Sequence, residues 1–266
     1  QRHDAQTVLL VQVLGVPHRM QELQTLKDRY GFYLLEDACA AIGAEYGGKK
    51  IGTFGDMASF SFYFGHQMST IEGGMVSSSD KALTNLLLML RSHGWSKDVD
   101  TARHQELVQQ YQVDDFHSPF VFYEPGFNLR STDLNAFIGL EQLRKLDAMT
   151  SRRQANHDRY LEQLGTRFYT QRPPQGSKVA SISFGLLADS PEQRKRIVRA
   201  LVAEGVETRI FSAGNLGLHP FWMNRYGKAS FPVADRVHHC GFFLPNHASM
   251  TDQDVLHISR IVLEAA

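Results

Sequence analysis

Two short stretches of the sequence carry residues that can do chemistry. The first, DMASFSFYFGHQMSTIEGG, runs from residue 56 to residue 74 and holds Ser61 and His66, five positions apart. The second is Glu36-Asp37, which directly follows the apolar run FYLL. An imidazole changes its protonation state near neutral pH, so His66 is a candidate for proton transfer. Acidic residues at the end of a buried strand lie where α/β proteins place their ligand-binding groups.

The elements around these stretches predict a parallel sheet. Thr7 to Leu14 is a short apolar, β-branched run, typical of a strand buried on both faces. Residues 20–30 have apolar side chains at helical spacing, and Gly31 is placed to end that helix. A second strand, 32–35, leads into Asp37. Strand, helix and strand in this order indicate a βαβ unit.

The rest of the chain gives an α/β first half and an α+β second half. We predict strands at 58–64 and 74–77, a helix capped by Asp80, and a long irregular segment from Gly94 to Gly126. Further helices are expected from residue 131 through 146 and possibly onward to 164, over 191–204, and from residue 251. Strands are expected at 179–187, half-exposed, and at 206–211. The predicted domains are 1–150 and 151–266.

Composition excludes several classes of protein. The chain has 266 residues with 28 basic and 28 acidic side chains, so no overall charge selects nucleic acid or an acidic membrane. Its two cysteines, Cys39 and Cys240, cannot supply a four-cysteine metal site. The spacing of His238, His239 and His247 does not favour a metal site either. No apolar run reaches the roughly 18–20 residues of a membrane span, and we expect a cytoplasmic protein.

The stretch around His66 resembles the cofactor-lysine signature of the DegT/DnrJ/EryC1/StrS aminotransferase family. That signature is a strand reading F-S-F, a short turn, a lysine and then E/D-G-G. The resemblance implies a fold-type-I α/β protein with a mostly parallel sheet, a smaller C-terminal α+β domain and a homodimer. It implies that Ser61 holds the phosphate of pyridoxal phosphate and that Asp37, in an E-D-A turn, pairs with the pyridine nitrogen.

Two further motifs extend the resemblance along the chain. Asn128, in GFNLR, matches the family asparagine that reaches the phosphate of the neighbouring subunit. Arg209 matches the arginine that binds a carboxylate or sugar-nucleotide group. The family pattern also begins well before Gln1, which implies that an N-terminal part of the large domain, with part of the pocket, is missing here.

The sequence departs from the family at the catalytic position, where His66 replaces the lysine. An imidazole cannot form the stable imine that a primary amine forms, and Lys49, Lys50 and Lys81 are not placed to substitute. Within the family this replacement marks 3-dehydratases of nucleotide-linked 4-keto-6-deoxyhexoses, which use pyridoxamine phosphate and glutamate in deoxysugar and O-antigen synthesis. The branch with an iron–sulfur cluster is disfavoured by the cysteine count. The GDP-sugar branch matches RSHGW, in which His93 is a candidate substrate ligand.

Other interpretations stay open. One is a sugar-nucleotide aminotransferase of the same family, although that reaction needs the absent lysine. The other is a non-catalytic relative that binds a sugar nucleotide or a partner. Residue by residue, His66 could be a plain strand-end histidine, Asp37 a turn cap and Ser61 a solvent-facing side chain.

Overall fold

A computed structural model describes residues 6–266 and opens with the predicted βαβ unit. Strand β1 (Thr7–Val11) is followed by helix α1 (Met20–Tyr30) and strand β2 (Tyr33–Asp37). The two strands are parallel, with Val11 opposite Asp37. Helix α1 ends as predicted at Gly31, which takes a left-handed φ of 69° and donates its N–H to the Lys27 carbonyl. The buried Met20 fixes the helix to the core.

The first sheet is completed by the strands on either side of the His66 loop. The chain continues through β3 (Glu45–Tyr46), β4 (Lys49–Lys50), β5 (Met57–Ser61), β6 (Gly74–Ser77) and α2 (Lys81–Arg91). The strand order is β1-β2-β5-β6, with β5 parallel to β2 and β6 antiparallel to β5. The Asp80 carboxylate caps α2 by accepting from the Leu83 N–H at 2.9 Å, which confirms the predicted helix start.

Strand β1 differs from the prediction in length and burial. It ends at Val11 because the chain turns at residues 13–15, where Leu14 takes a φ of 57°. It is not buried on both faces: Leu9 is 64% exposed and Val11 is 44% exposed. Helix α1 lies on one side of the sheet only. The apolar strand β1 is therefore not covered on both faces.

The segment predicted to be irregular from Gly94 to Gly126 contains helix α3 (Thr101–Gln110). Asp100 caps it by accepting from the Arg103 N–H at 3.0 Å. The prediction was wrong here because Leu107 is the only buried side chain of α3, so no apolar period reveals the helix.

The second half of the chain forms a separate antiparallel sheet under three helices. Its elements are α4 (Asp133–Leu143), α5 (Leu146–Leu164), β7 (Tyr169–Thr170), β8 (Ser177–Lys178), β9 (Ser183–Leu187), α6 (Pro191–Ala203), β10 (Arg209–Ile210), α7 (Pro220–Tyr226), α8 (Pro232–Cys240), β11 (Gly241–Pro245) and α9 (Asp252–Glu264). The sheet order is β10-β11-β9-β7. Strand β9 is buried along its whole length, whereas a half-exposed strand was predicted.

The core of this half explains the burial of β9. Tyr160 of α5, Phe184 of β9 and Phe242 of β11 belong to one apolar cluster, to which α6 and α9 also contribute. On the other face, the Phe211 ring lies against Gly185 so closely that a side chain there would overlap it. The domain boundary predicted near residue 150 falls within α5. Among residues 6–266, no helix is long and apolar enough to cross a membrane.

Candidate active site

The ends of the parallel strands bring the predicted site residues to one edge and one face of the first sheet. Asp37 lies opposite Val11 on one side and Ser59 on the other. Because side chains alternate along a strand, Asp37, Ser59 and Ser61 point to the same face. Their position follows from register alone, and it matches the general rule for ligand sites in α/β sheets.

The two acids of the Glu36-Asp37 pair have different surroundings. Glu36 is 1% exposed, and its carboxylate accepts backbone N–H groups from Gly52 at 2.9 Å, Phe54 at 2.7 Å and Gly55 at 2.7 Å. Asp37 accepts one bond within the chain, from the Cys39 N–H to Oδ1 at 3.1 Å, and it lines a cavity of about 470 Å³. Glu36 therefore holds the loop after β4, and Asp37 is the acid available to a ligand.

The loop that carries His66 is fixed at both ends. The Phe62 N–H donates to the Gly73 carbonyl at 2.9 Å, and the His66 N–H donates to the Tyr63 carbonyl at 3.0 Å. Gln67, which is 2% exposed, donates its amide to the carbonyls of Ala40 and Ala180. Gln67 directly follows His66, and its amide thus anchors the His66 loop to the turn after β2. It was not predicted as a site residue.

The His66 imidazole is half-buried, and its Nδ1 is buried without a hydrogen-bond partner among the described residues. Burial lowers the pKa of His66 below its ordinary value, the Asp37 charge partly opposes this, and the Arg153 charge adds to it. His66 therefore lies near enough to both groups to feel their charges. A neutral imidazole with a free nitrogen is suited to accept a proton.

Ser61 lies at the end of β5, and Arg209 lines two cavities. The Ser61 Oγ lies at the end of β5 and accepts the Tyr63 N–H at 3.3 Å. Arg209, in β10, lines both the cavity that contains Asp37 and a second one of about 390 Å³ that reaches Gly65. Ile182, Arg209 and Phe243 are common to the two cavities, so the cavities adjoin. Each has the size of a small-molecule site.

Of the six predicted site residues, Asp37 and Arg209 line these cavities, whereas Ser61, His66, Asn128 and His93 do not. Asn128 is exposed and pairs through its backbone with Ser92 as an isolated bridge. His93 takes a φ of 62°, and its ring lies 4.7 Å from that of Trp95. Neither lines the cavities that contain Asp37 or Gly65. Their proposed roles, toward a neighbouring subunit and toward substrate, remain predictions.

The residues present fit a pyridoxal-type cofactor held without a covalent bond. Asp37 offers a carboxylate to a protonated ring nitrogen, and Ser61 offers a hydroxyl to a phosphate. The Nδ1 of His66 is buried and lacks a hydrogen-bond partner within the described part of the chain. His66 has no primary amine, so it cannot hold the aldehyde form covalently.

Relatives of known function resemble the chain over most of its length. GDP-4-keto-6-deoxy-D-mannose 3-dehydratase of Yersinia pseudotuberculosis is 32% identical over 210 residues, covering 78% of this chain and 53% of the relative. The corresponding enzyme of Escherichia coli O55:H7 is also 32% identical over 210 residues, covering 78% of this chain and 54% of its own. The chain thus spans about half the length of the curated relatives that it matches.

Solved structures show the same fold. The structure of Escherichia coli GDP-4-keto-6-deoxy-D-mannose-3-dehydratase with bound hydrated pyridoxal phosphate superposes with a TM-score of 0.84 at 26% identity, covering 97% of this chain and 67% of that one. A structure of GDP-4-keto-6-deoxymannose-3-dehydratase with a trapped pyridoxal phosphate–glutamate geminal diamine gives 0.83 at 26% identity, covering 97% and 68%. The sequence profile of the DegT/DnrJ/EryC1/StrS aminotransferases matches residues 2–263. The chain therefore belongs to the DegT/DnrJ/EryC1/StrS aminotransferase family.

Proposed function

We propose that the protein to which this chain belongs is a 3-dehydratase of a nucleotide-linked 4-keto-6-deoxyhexose, with the GDP-linked sugar as substrate. The observation that carries the proposal is His66 at the position of the cofactor lysine, close enough to Asp37 to feel its charge. The relatives named above, which act on GDP-4-keto-6-deoxy-D-mannose, support the choice of nucleotide and sugar.

In this proposal Asp37 and Ser61 hold the cofactor and His66 moves the proton. Pyridoxamine phosphate supplies the amine that joins the C4 ketone and a ring that accepts electrons. The Asp37 carboxylate would pair with the ring nitrogen, and the Ser61 hydroxyl would donate to the phosphate. With cofactor and sugar bound, the His66 imidazole would accept a proton. The resulting imidazolium then donates this proton to the C3 hydroxyl, which leaves as water.

The remaining parts of the proposal concern the whole enzyme. Ammonia is released with the dehydrated keto-sugar, and glutamate regenerates the amine. The enzyme is a cytoplasmic homodimer that serves deoxysugar and O-antigen synthesis, with Asn128 placed toward the neighbouring pocket, and with Arg209 and His93 toward substrate. The domain division at residue 150 separates the cofactor-binding part from the part that carries Arg209.

A sugar-nucleotide aminotransferase is the second candidate, because the family also includes GDP-perosamine synthase of Escherichia coli O157:H7, 27% identical over 258 residues. The test is to incubate protein from the complete reading frame with pyridoxal phosphate, glutamate and GDP-4-keto-6-deoxymannose. Dehydration predicts ammonia and a 3-deoxy keto-sugar, whereas transamination predicts an amino sugar without ammonia. Absence of both products would favour a non-catalytic binding protein. A CDP-linked substrate in a parallel reaction tests the nucleotide.

A further inference from the structure

A buried arginine lies behind His66 without a carboxylate partner. Arg153 is on α5 and is 5% exposed. Its Nη1 donates to the carbonyl oxygens of Asn246 and Ser181, the latter at 3.4 Å. Its Nε is buried and has no hydrogen-bond partner within residues 6–266. One edge of the guanidinium, formed by Nε and Nη2, is therefore not used by the described residues.

The other arginines of the same helix show what is missing. The Arg152 guanidinium pairs with Asp252, and Arg159 pairs with Glu162 at 2.9 Å. No described carboxylate lies within salt-bridge distance of Arg153, although it is the most buried of the three. Burial lowers the pKa of Arg153 to about 10, so it stays charged at neutral pH. Buried charges in proteins are normally paired, which indicates that this one awaits an anion.

The position of Arg153 tells where that anion would lie. Arg153 lines the cavity of about 390 Å³ together with Gly65, the neighbour of His66. It also donates to the Asn246 carbonyl, so it lies between the His66 loop and the turn after β11. If an anionic group is bound there, the rest of the same molecule would lie beside the His66 imidazole.

The charge of the cavity selects the kind of anion. Two arginines, Arg153 and Arg209, and one acid, Glu207, line it. Glu207 is already paired with Arg209 at 3.2 Å, which leaves one net positive charge, on Arg153. A single carboxylate matches that charge, whereas a diphosphate would bring excess negative charge toward Glu207. The two parallel N–H groups of the unused guanidinium edge also fit a planar carboxylate.

We infer that Arg153 binds a carboxylate of the amino-acid donor and thereby places the donor beside His66. The inference rests on the proposed function, because it assumes that an amino acid regenerates the amine at this site. It assigns to the small cavity a task separate from sugar-nucleotide binding. Gly65 offers no side chain on its wall, which leaves room next to the imidazole.

Glutarate, an unreactive dicarboxylate, tests the inference without turnover. Calorimetric titration of the pyridoxal-phosphate-loaded complete protein should show binding. Arg153→Lys keeps a cation and donors for the two carbonyls but loses the two-pronged edge, and it should weaken binding about tenfold. Arg153→Gln should weaken it about 100-fold, the scale of charged hydrogen bonds. Arg159→Gln, an exposed arginine of the same helix, should leave the affinity unchanged. Melting temperatures check that each variant is folded.

A parallel titration with GDP separates the two anion sources. We expect GDP affinity to stay the same in the folded Arg153→Lys variant. Equal glutarate affinity in that variant and the parent would overturn the inference, and so would a loss confined to GDP. The proposed function fails independently: a protein that binds glutarate through Arg153 but releases no ammonia from the keto-sugar would keep the subsite and lose the dehydratase assignment.

Discussion

His66 is half-buried, its Nδ1 has no hydrogen-bond partner among residues 6–266, and its surrounding motif resembles the family signature that carries the cofactor lysine. If it is the base, His66→Asn should keep the volume and a hydrogen-bonding group but remove proton transfer. We expect ammonia release from the keto-sugar to fall about 10²–10⁴-fold, the usual contribution of a positioned acid–base group. Steady-state ammonia assays on the complete protein measure this.

His257→Asn serves as the matched control, because His257 is exposed on α9 and contacts Arg260. Its rate should equal that of the parent protein. An asparagine variant at position 66 that dehydrates as fast as the parent would rule out His66 as the base.

A second substitution at this position tests the covalent chemistry. Borohydride should not attach pyridoxal phosphate to the parent protein, because His66 offers no primary amine. His66→Lys should permit attachment and lower dehydration at the same time. Mass spectrometry of the reduced, digested protein locates the label, and a label at Lys49 or Lys50 in the parent would show that another lysine serves the site.

The surroundings of His66 also predict the direction of its pH dependence. Burial favours the neutral imidazole, so its pKa lies below the usual 6.5. Only the neutral form accepts a proton; kcat/KM should therefore rise with pH along a limb centred below 6.5 and be level above it. The limb should disappear in the residual activity of His66→Asn. A limb centred above 7 in the parent would mean that Asp37 outweighs burial.

Local sequence predicted part of this site and missed another part, for a physical reason. Asp37, Ser61 and His66 belong to short motifs at strand ends, so spacing along the chain sets their positions. Gln67 and Arg153 act through backbone carbonyls far away in sequence; Gln67 reaches Ala180, 113 positions on. Every residue type has a backbone carbonyl, so no pattern in the sequence marks these contacts.

At the scale of elements, the turn after α2 lies directly against the segment before α4. Gly94, at a φ of +89°, has no room for a side chain, since a Cβ there would overlap the Glu124 carbonyl oxygen. Gly94→Ala should therefore destabilise the protein by about 3 kcal/mol or more, from strain and overlap together. Urea unfolding measures the change.

Gly205→Ala is the control for strain alone. Gly205 has a φ of +72° and nothing within 4 Å of an added Cβ, so it should cost only about 1 kcal/mol. Equal losses of unfolding free energy at the two positions would show that the turn after α2 shifts to make room for the added side chain. Its contact with residues 122–128 would then not be rigid.

Elements with their own start and stop signals were predictable. Helix α1 ends at Gly31, and helices α2 and α9 begin after Asp80 and Thr251. Each of these caps is formed by residues close together in sequence. Strand β8 was not predictable, because two residues at 177–178 become a strand only by pairing with β3, over 130 positions earlier. Helix α3 was missed for a related reason, since a helix with one buried side chain shows no periodic spacing of apolar residues.

At the scale of the whole molecule, two apolar surfaces lack cover within residues 6–266. One is the face of the first sheet that carries Leu9, 64% exposed, and Tyr33, 59% exposed. The other is a stripe along α4, where Leu134, Phe137 and Leu140 are 77%, 68% and 60% exposed. Surfaces of this kind mark interfaces.

We expect the α4 stripe to lie in a homodimer interface. It follows Asn128 closely in sequence, and Asn128 is exposed, as expected of a residue that serves a neighbouring pocket. The complete protein should elute as a dimer in light-scattering chromatography. Phe137→Glu should shift it toward monomer, because a carboxylate at the centre of an apolar interface loses water without gaining a partner. Val233→Glu, at a 78% exposed position on α8, should leave the dimer intact. If Phe137→Glu instead lowers the melting temperature of a protein that is monomeric in both forms, the stripe is covered by the protein's own chain. Asn128 would then have no second subunit to serve.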